Sequence, residues 1–426
     1  MNKLNSTIIK TVRARKVLDA RAGYTIEVDV LTEGGGIGRS TAPVGAAESR
    51  SAWEVQAYPF GGVDEAVEKA KNDIAPRLIG MDANEQEHID QTLRKIDGTP
   101  NFARIGGNTA TVTSIAVAKA TASTLEIPLY KYLCGLSETE LSIPIANTIG
   151  GGPHARRGKA PDMQEHQVIP VGAKSIASAV NAVAMAHQRT MDLCNIKDPD
   201  FWGRADYEHA WVPNITDVES LELLTQVCED LKNETGINLC LGIDVAASSL
   251  WNETKEVYLY RREGLARDTG EQLDFISDLI EEFSLYFIED PFHDDDYASF
   301  KELTMKYGDK CLICGDDIFA CSYRRLMKGI EAGAANSVII KVNMVGTLTD
   351  AFKTVELAHK HGYIPVQSRR SVENEDTAIA HIAVGWACPL NKFAVGGDGA
   401  LKLNELLRIE EELGLQAKMP NLRLNP

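Results

Sequence analysis

The sequence predicts an α/β protein: a (β/α)8 barrel over residues 139–426, preceded by an α+β unit over residues 1–138. Three observations predict it. Four short apolar runs each end in a charged residue, namely Leu241-Gly242-Ile243-Asp244, Phe287-Ile288-Glu289-Asp290-Pro291, Leu312-Ile313-Cys314-Gly315-Asp316-Asp317 and Val338-Ile339-Ile340-Lys341. Such runs read as buried parallel strands. Asp244, Glu289, Asp316 and Lys341 lie 45, 27 and 25 residues apart in turn, intervals that fit strand–helix–strand repeats. Finally, strand and helix patterns alternate from Ile143 to about residue 410, whereas the first 135 or so residues place strands before helices.

The elements follow in order. Residues 7–32 alternate in strand fashion, as in Tyr24-Thr25-Ile26-Glu27-Val28-Asp29-Val30. Gly34-Gly35-Gly36 turns the chain into another short strand. The Ala/Glu-rich stretch 48–72 predicts a helix, as do the patterns over 84–97 and 108–124. Ile143-Pro144-Ile145-Ala146-Asn147 opens the barrel region. From Met419-Pro420-Asn421 onward the sequence predicts a tail, and no solenoid period or low-complexity linker interrupts the chain.

With 426 residues the chain has room for a barrel plus a smaller domain. A hydrophobic content of 44% with 25% charged residues reads as soluble and globular. The net charge of −17 argues against general binding to nucleic acid or anionic membranes. It does not exclude a small anionic substrate, because a metal and a few arginines reverse the field locally. No apolar run is long enough for a transmembrane helix, and Met1-Asn2-Lys3-Leu4-Asn5-Ser6 lacks the apolar core of a signal peptide. The eight scattered cysteines do not form a disulfide framework, and a reducing cytoplasm is the simpler expectation. Cys311 and Cys314 make a lone Cys-x-x-Cys inside an apolar strand, so they read as buried thiols.

Strand ends that converge on one face of a barrel bring Asp244, Glu289 and Asp316 together. Three carboxylates are hard oxygen ligands and suit Mg2+. Each acid taken alone is more often a helix cap or a surface group. Lys341 follows three β-branched residues and is costly to bury unless paired or functional. Burial and a nearby cation are expected to lower its pKa and make it a base, against the alternative of a lysine snorkelling to solvent. Ser368-Arg369-Arg370-Ser371 ends another apolar run and suits phosphate or carboxylate capture. The bland alternative is a surface turn paired to Glu373, Glu375 and Asp376. His154, in Gly150-Gly151-Gly152-Pro153-His154, together with Gln164-Glu165 suggests a mobile lid; a solvent-exposed histidine is the alternative.

At these residues the chain resembles the enolase family. Ala14-Arg15-Lys16-Val17-Leu18-Asp19-Ala20-Arg21 resembles the family's opening, and Asp244-Val245-Ala246-Ala247-Ser248, Ile288-Glu289-Asp290-Pro291-Phe292, Lys341-Val342-Asn343 with Gly346-Thr347-Leu348, and Leu406-Leu407-Arg408-Ile409-Glu410-Glu411-Glu412-Leu413 match its motifs. The resemblance implies an enolase-type barrel, whose opening strands and helices depart from strict alternation, under an N-terminal α+β capping domain. It implies Mg2+ on Asp244, Glu289 and Asp316, and Lys341 as general base. Pro213-Asn214 aligns the stretch before it so that Glu208 keeps the family's acid. Gln164 and Glu165 correspond to its Q-E pair, His154 to its lid histidine, and Arg370-Ser371 to its phosphate-binding pair.

Departures accompany the match. Ala47 stands where the family has a serine that helps hold a second magnesium, Glu48 stands for a threonine, and Arg369 for a histidine. The lysine that holds the substrate carboxylate has no secure equivalent among Lys392, Phe393, Ala394 and Val395. The loop after His154 is two residues longer than the family's. The leading expectation is a cytoplasmic magnesium-dependent lyase, a homodimer or higher homo-oligomer, that reversibly dehydrates 2-phosphoglycerate to phosphoenolpyruvate. The resemblance also leaves open a related phospho- or phosphono-carboxylate, as for carboxyphosphonoenolpyruvate synthase, or a non-catalytic enolase-like protein.

Overall fold

The computed structural model describes residues 5–45, 51–134, 139–155, 159–422 and 424. The N-terminal part opens with an antiparallel meander of β1 (Ile9–Leu18), β2 (Tyr24–Thr32) and β3 (Ile37–Thr41). The buried face of β2, Ile26, Val28 and Val30, packs toward the helix Gly107–Thr124 in one apolar core. That helix is rich in Ala and Thr and is buried on nearly every side. Small side chains suit it to a place between the meander and the rest of the molecule. The approach is close: a Cβ at Gly38 would sit 1.9 Å from the Ala116 carbonyl oxygen, so only glycine fits there.

The helix expected over 48–72 is shorter than that. It runs Gly62–Lys69, continued by a π-turn at Ala70–Ile74. Pro59 and the pair Gly61-Gly62, the latter with φ +70°, block an earlier start, and residues 51–61 form turns. The helices Gln86–Asp97 and Gly107–Thr124 stand where the pattern put them.

The barrel begins with β4 (Ile143–Pro144) and β5 (Ala146–Gly150), two pieces of one stave joined through Ile145. Then come β6 (Glu165–Ile169), β7 (Cys240–Asp244) and a small side sheet of β8 (Trp251–Asn252), β9 (Val257–Tyr260) and β10 (Leu265–Arg267). The remaining staves are β11 (Phe287–Glu289), β12 (Leu312–Gly315), β13 (Ser337–Ile340), β14 (Ile364–Ser368) and β15 (Leu390–Lys392). The order β4-β15-β14-β13-β12-β11-β7-β6-β5 closes on itself because β4 and β5 are continuous. β6 is antiparallel to both its neighbours, and every other barrel pairing is parallel. Two helices, Ile176–Lys197 and Asp217–Thr235, follow β6 before β7 begins. This is the departure from strict alternation that the resemblance implied.

One end of the barrel is filled by apolar side chains, including Ile143, Phe287, Leu312, Ile339 and Leu390. The expected tail belongs to that end: Met419, Leu422 and Leu424 pack against this cluster. The correction has a simple cause, since the open floor of a barrel exposes apolar surface that a short apolar segment can cover. Cys311 and Cys314 are buried free thiols at β12. Among the described residues, no helix is long and apolar enough to cross a membrane.

Candidate active site

The other end of the barrel is charged. Asp244 ends β7 and Glu289 ends β11, and the two are direct register partners. Glu165 opens β6 and is the partner of Asp244 on the other side, because β6 runs the opposite way. Asp316 and Lys341 lie just past the ends of β12 and β13, and Arg369, Arg370 and Ser371 just past β14. Glu208 comes from the loop before the helix Asp217–Thr235. These groups face a cavity of about 140 Å3, lined also by His154, Gln164, Asp290, Asp317 and Lys392. All the sequence-predicted site residues except Glu289 line it; Glu289 is buried and bonds to Lys392.

Lys392 corrects the sequence reading, which found no secure lysine there. It ends β15, opposite Ser368 in the register. Its Nζ donates to Glu289 Oε2 at 2.6 Å and Asp244 Oδ2 at 3.0 Å and lies 3.2 Å from Glu165 Oε2. Burial opposes its charge, but Asp244, Glu165 and Glu289 outweigh burial and hold its pKa well above the usual lysine range. The sequence signal was present but thin: in Leu390-Asn391-Lys392 a polar residue interrupts the apolar run before the lysine.

Lys341 bonds to Asp316 Oδ2. The expected lowering of its pKa by burial operates here, but acidic neighbours oppose it. Burial is the largest influence and pushes the pKa down, yet Asp316 and Glu289 together outweigh it and leave the lysine above its ordinary value. Asp316 itself is held by Asp290, whose carboxylate accepts the Asp316 and Asp317 backbone N–H groups at 2.9 and 2.7 Å. Asp290 sits at φ +42°, a strained backbone for a non-glycine residue.

On the far side, Glu208 accepts from Asn147 Nδ2 at 3.4 Å and lies 3.9 Å from Arg369 Nε. His154, Glu165 and Glu208 each bring a ligand-type atom within 4.8 Å of the others. The histidine is buried, so the solvent-exposed alternative fails. Burial pushes the Glu208 carboxyl up, but Arg369, His154 and Lys392 together hold it below its ordinary value. Gln164 Nε2 donates to Asp244 Oδ2 at 3.1 Å.

The arginines are buried as well. Arg369 pairs with Asp398 at 3.0 Å. Arg370 makes a two-pronged pair with Glu54 at 2.9 and 3.0 Å, and its backbone N–H donates to Glu373. Glu54 comes from the N-terminal part, so the cap reaches the mouth of the barrel. Gly45 does too: a Cβ there would lie 1.9 Å from Arg370 Nη2. Ala47 and Glu48 lie outside the described residues.

The donor set fits a divalent cation. Six carboxylates line the cavity against four fixed cations, Lys341, Lys392, Arg369 and Arg370. Asp244, Glu289 and Asp316 are all at least nine-tenths buried, and Asp316 Oδ1 has no hydrogen-bond partner. Buried carboxylates in excess of their partners favour a hard cation. Lys392 bonds to Asp244 and Glu289, and Lys341 to Asp316.

Comparison with known proteins agrees with this geometry. The family described as "Enolase, C-terminal TIM barrel domain" matches residues 138–423, and "Enolase, N-terminal domain" matches residues 9–133. An enolase of Methanothermobacter thermautotrophicus is 47% identical over 408 residues, covering 96% of this chain and 97% of its own length. An enolase of Halorubrum lacusprofundi is 41% identical, covering 95% and 99%. One from Pyrobaculum aerophilum is 40% identical over 417 residues, covering 96% and 98%.

Proposed function

The chain belongs to the enolase family, and from that premise we propose how its residues share the work. It is a hydro-lyase that dehydrates 2-phosphoglycerate to phosphoenolpyruvate. Membership implies a divalent metal, which we assign as Mg2+ held by Asp244, Glu289 and Asp316. When bound, it supplies positive charge to the substrate carboxylate as electron density moves onto it.

The protein's own groups do the rest. Lys341 takes the proton from C2 through Nζ. The C3–O bond then breaks, and Glu208, beside Glu165 and His154, gives its proton to the leaving oxygen, which departs as water. Lys392 and Gln164 orient the substrate carboxylate. Arg370, with Ser371 and Arg369, holds the phosphate, and Glu54 keeps the Arg370 guanidinium aimed while it waits. The observation that carries this reading is strand order: the carboxylates of β7, β11 and β12 stand between Lys341 beyond β13 and Glu165 on β6.

The directions of the two pKa shifts bear on the reverse reaction. Lys341 is held protonated and Glu208 ionised. That is the state needed to hydrate phosphoenolpyruvate, with Lys341 giving a proton to C2 and Glu208 taking one from water. The dehydrating form differs only in where that one proton sits.

We also propose a division into residues 1–138 and 139–426, supported by the two family matches. A homodimer or higher homo-oligomer and a cytoplasmic location follow from family resemblance. The test is absorbance at the enolpyruvate band with purified protein, Mg2+ and 2-phosphoglycerate, beside Lys341→Ala. Turnover that the variant lacks supports the assignment. Equal turnover in both removes Lys341 from the base role.

A further inference from the structure

The segment that follows Lys341 is held by the other domain. A single helical turn, Val342–Val345, begins at Lys341 and ends at Gly346, which has φ +101°. Its backbone carbonyls and the Asn343 side chain find partners in the N-terminal part. Asn343 Nδ2 donates to Asn108 Oδ1 at 3.1 Å. The Val55 N–H donates to the Met344 carbonyl at 3.0 Å, and Arg94 Nη2 to the Val345 carbonyl at 2.9 Å. Thr111 Oγ1 donates to the Gly346 carbonyl at 3.0 Å. So four consecutive residues, beginning two after Lys341, are each tied to the cap.

Ordinarily the C-terminal carbonyls of a helical turn are satisfied by a capping motif of their own chain or by water. Here donors from the cap take that part, and the junction is close-packed: a Cβ at Gly346 would lie 2.3 Å from the Phe102 ring. Asn108 and Asn343 are both at least nine-tenths buried. Their bond is therefore not weakened by exchange with water, and it fixes the turn on which Lys341 stands.

We propose that the cap domain is a positioning element for the base: Asn108, through Asn343, sets the direction of the Lys341 ammonium, with Thr111 as a second anchor. The proposal rests on Lys341 being the base. It gives the cap a role in the chemical step, separate from its reach toward Arg370 through Glu54. Asn108 touches neither substrate nor metal ligand, so it is a positioning residue.

The test uses the full-length protein with Mg2+ and 2-phosphoglycerate in D2O, measuring elimination and hydrogen exchange at C2 together. Asn108→Ala is expected to lower kcat about tenfold with KM nearly unchanged, the scale set by small misplacements of a reacting group. The ratio of exchange to elimination is expected to fall, because only proton transfer is slowed. Asn108→Asp keeps the oxygen acceptor and is expected to recover most of the loss. If Asn108→Ala folds poorly, Thr111→Val serves instead, with a smaller effect in the same direction. An unchanged kcat overturns the proposal. So does a fall in exchange and elimination by the same factor, which is the mark of a smaller folded fraction. Lys341→Ala is the separate control: persistent C2 exchange there overturns the assignment of the base, not the clamp.

Discussion

The two ends of this barrel are built from the same strands and are chemically opposite. At the floor, Phe287, Leu312, Ile339 and Leu390 meet each other and Leu424. At the mouth, two to four residues further along the chain from each, Glu289, Asp316 and Lys392 are buried almost as completely and Lys341 is half-buried. The floor is stable by burying apolar area, about 25 cal/mol per Å2. The mouth carries desolvated charges, which are tolerated only where opposite charges and hydrogen bonds offset the loss of water. Binding and chemistry therefore sit on the end that contributes least to stability, supported by the end that contributes most.

Lys341→Ala should break the mouth most severely. It is expected to lower turnover by about 10^3-fold or more, in the range of a lost general base, while thermal melting shows the fold retained. Chelation should act at the same end. Turnover is expected to vanish without divalent cation, and melting to move down, since a ligand at 100 times its Kd adds about 2.7 kcal/mol. Readdition of Mg2+ should restore both; an unchanged melting curve would count against a resident site.

Phe287→Ala inverts the comparison. It leaves a cavity at the floor and is expected to cost about 3–5 kcal/mol in denaturant unfolding, with kcat per folded molecule unchanged. Loss of kcat out of proportion to the folded fraction would mean that the two ends are coupled.

Asp90 sharpens the contrast, being a buried charge at neither end. It accepts the Thr349 N–H at 2.9 Å, and burial pushes its pKa from 3.8 up to about 6. Between about pH 4 and 6 the unfolded chain loses this proton and the fold keeps it, so this group lowers stability as pH rises through that window. Asp90→Asn is expected to gain on the parent over the same window, by about 3 kcal/mol for a shift of two units. A pH-independent difference between the two unfolding curves would contradict it.

How much was legible in the sequence follows the same division. Asp244, Glu289, Asp316 and Lys341 were readable because each ends an apolar run at a regular interval. Glu165 was legible only by resemblance: β6 runs backwards, so its first residue rather than its last reaches the mouth. Lys392 was named without a secure role because Asn391 interrupts the apolar run before it. Glu54 and Asp398, partners of the two arginines, lie in turns without periodicity, and only tertiary packing brings them in. The helix over 48–72 was overcalled because composition outweighed Pro59 and Gly61-Gly62. The tail was misread because its few apolar residues gain meaning only from an open barrel floor.

The reversed β6 has a further consequence. Its connection to β5 is a hairpin whose two feet, Gly150 and Glu165, both stand at the mouth. Every other parallel stave must return along the whole height of the barrel before re-entering. A hairpin can take up added residues without shifting any strand's register, and lengthening it from about 12 to 14 residues costs roughly 0.1 kcal/mol in closure entropy. The connection bearing His154 is thus a place where length can change at the mouth while the barrel staves stay in register.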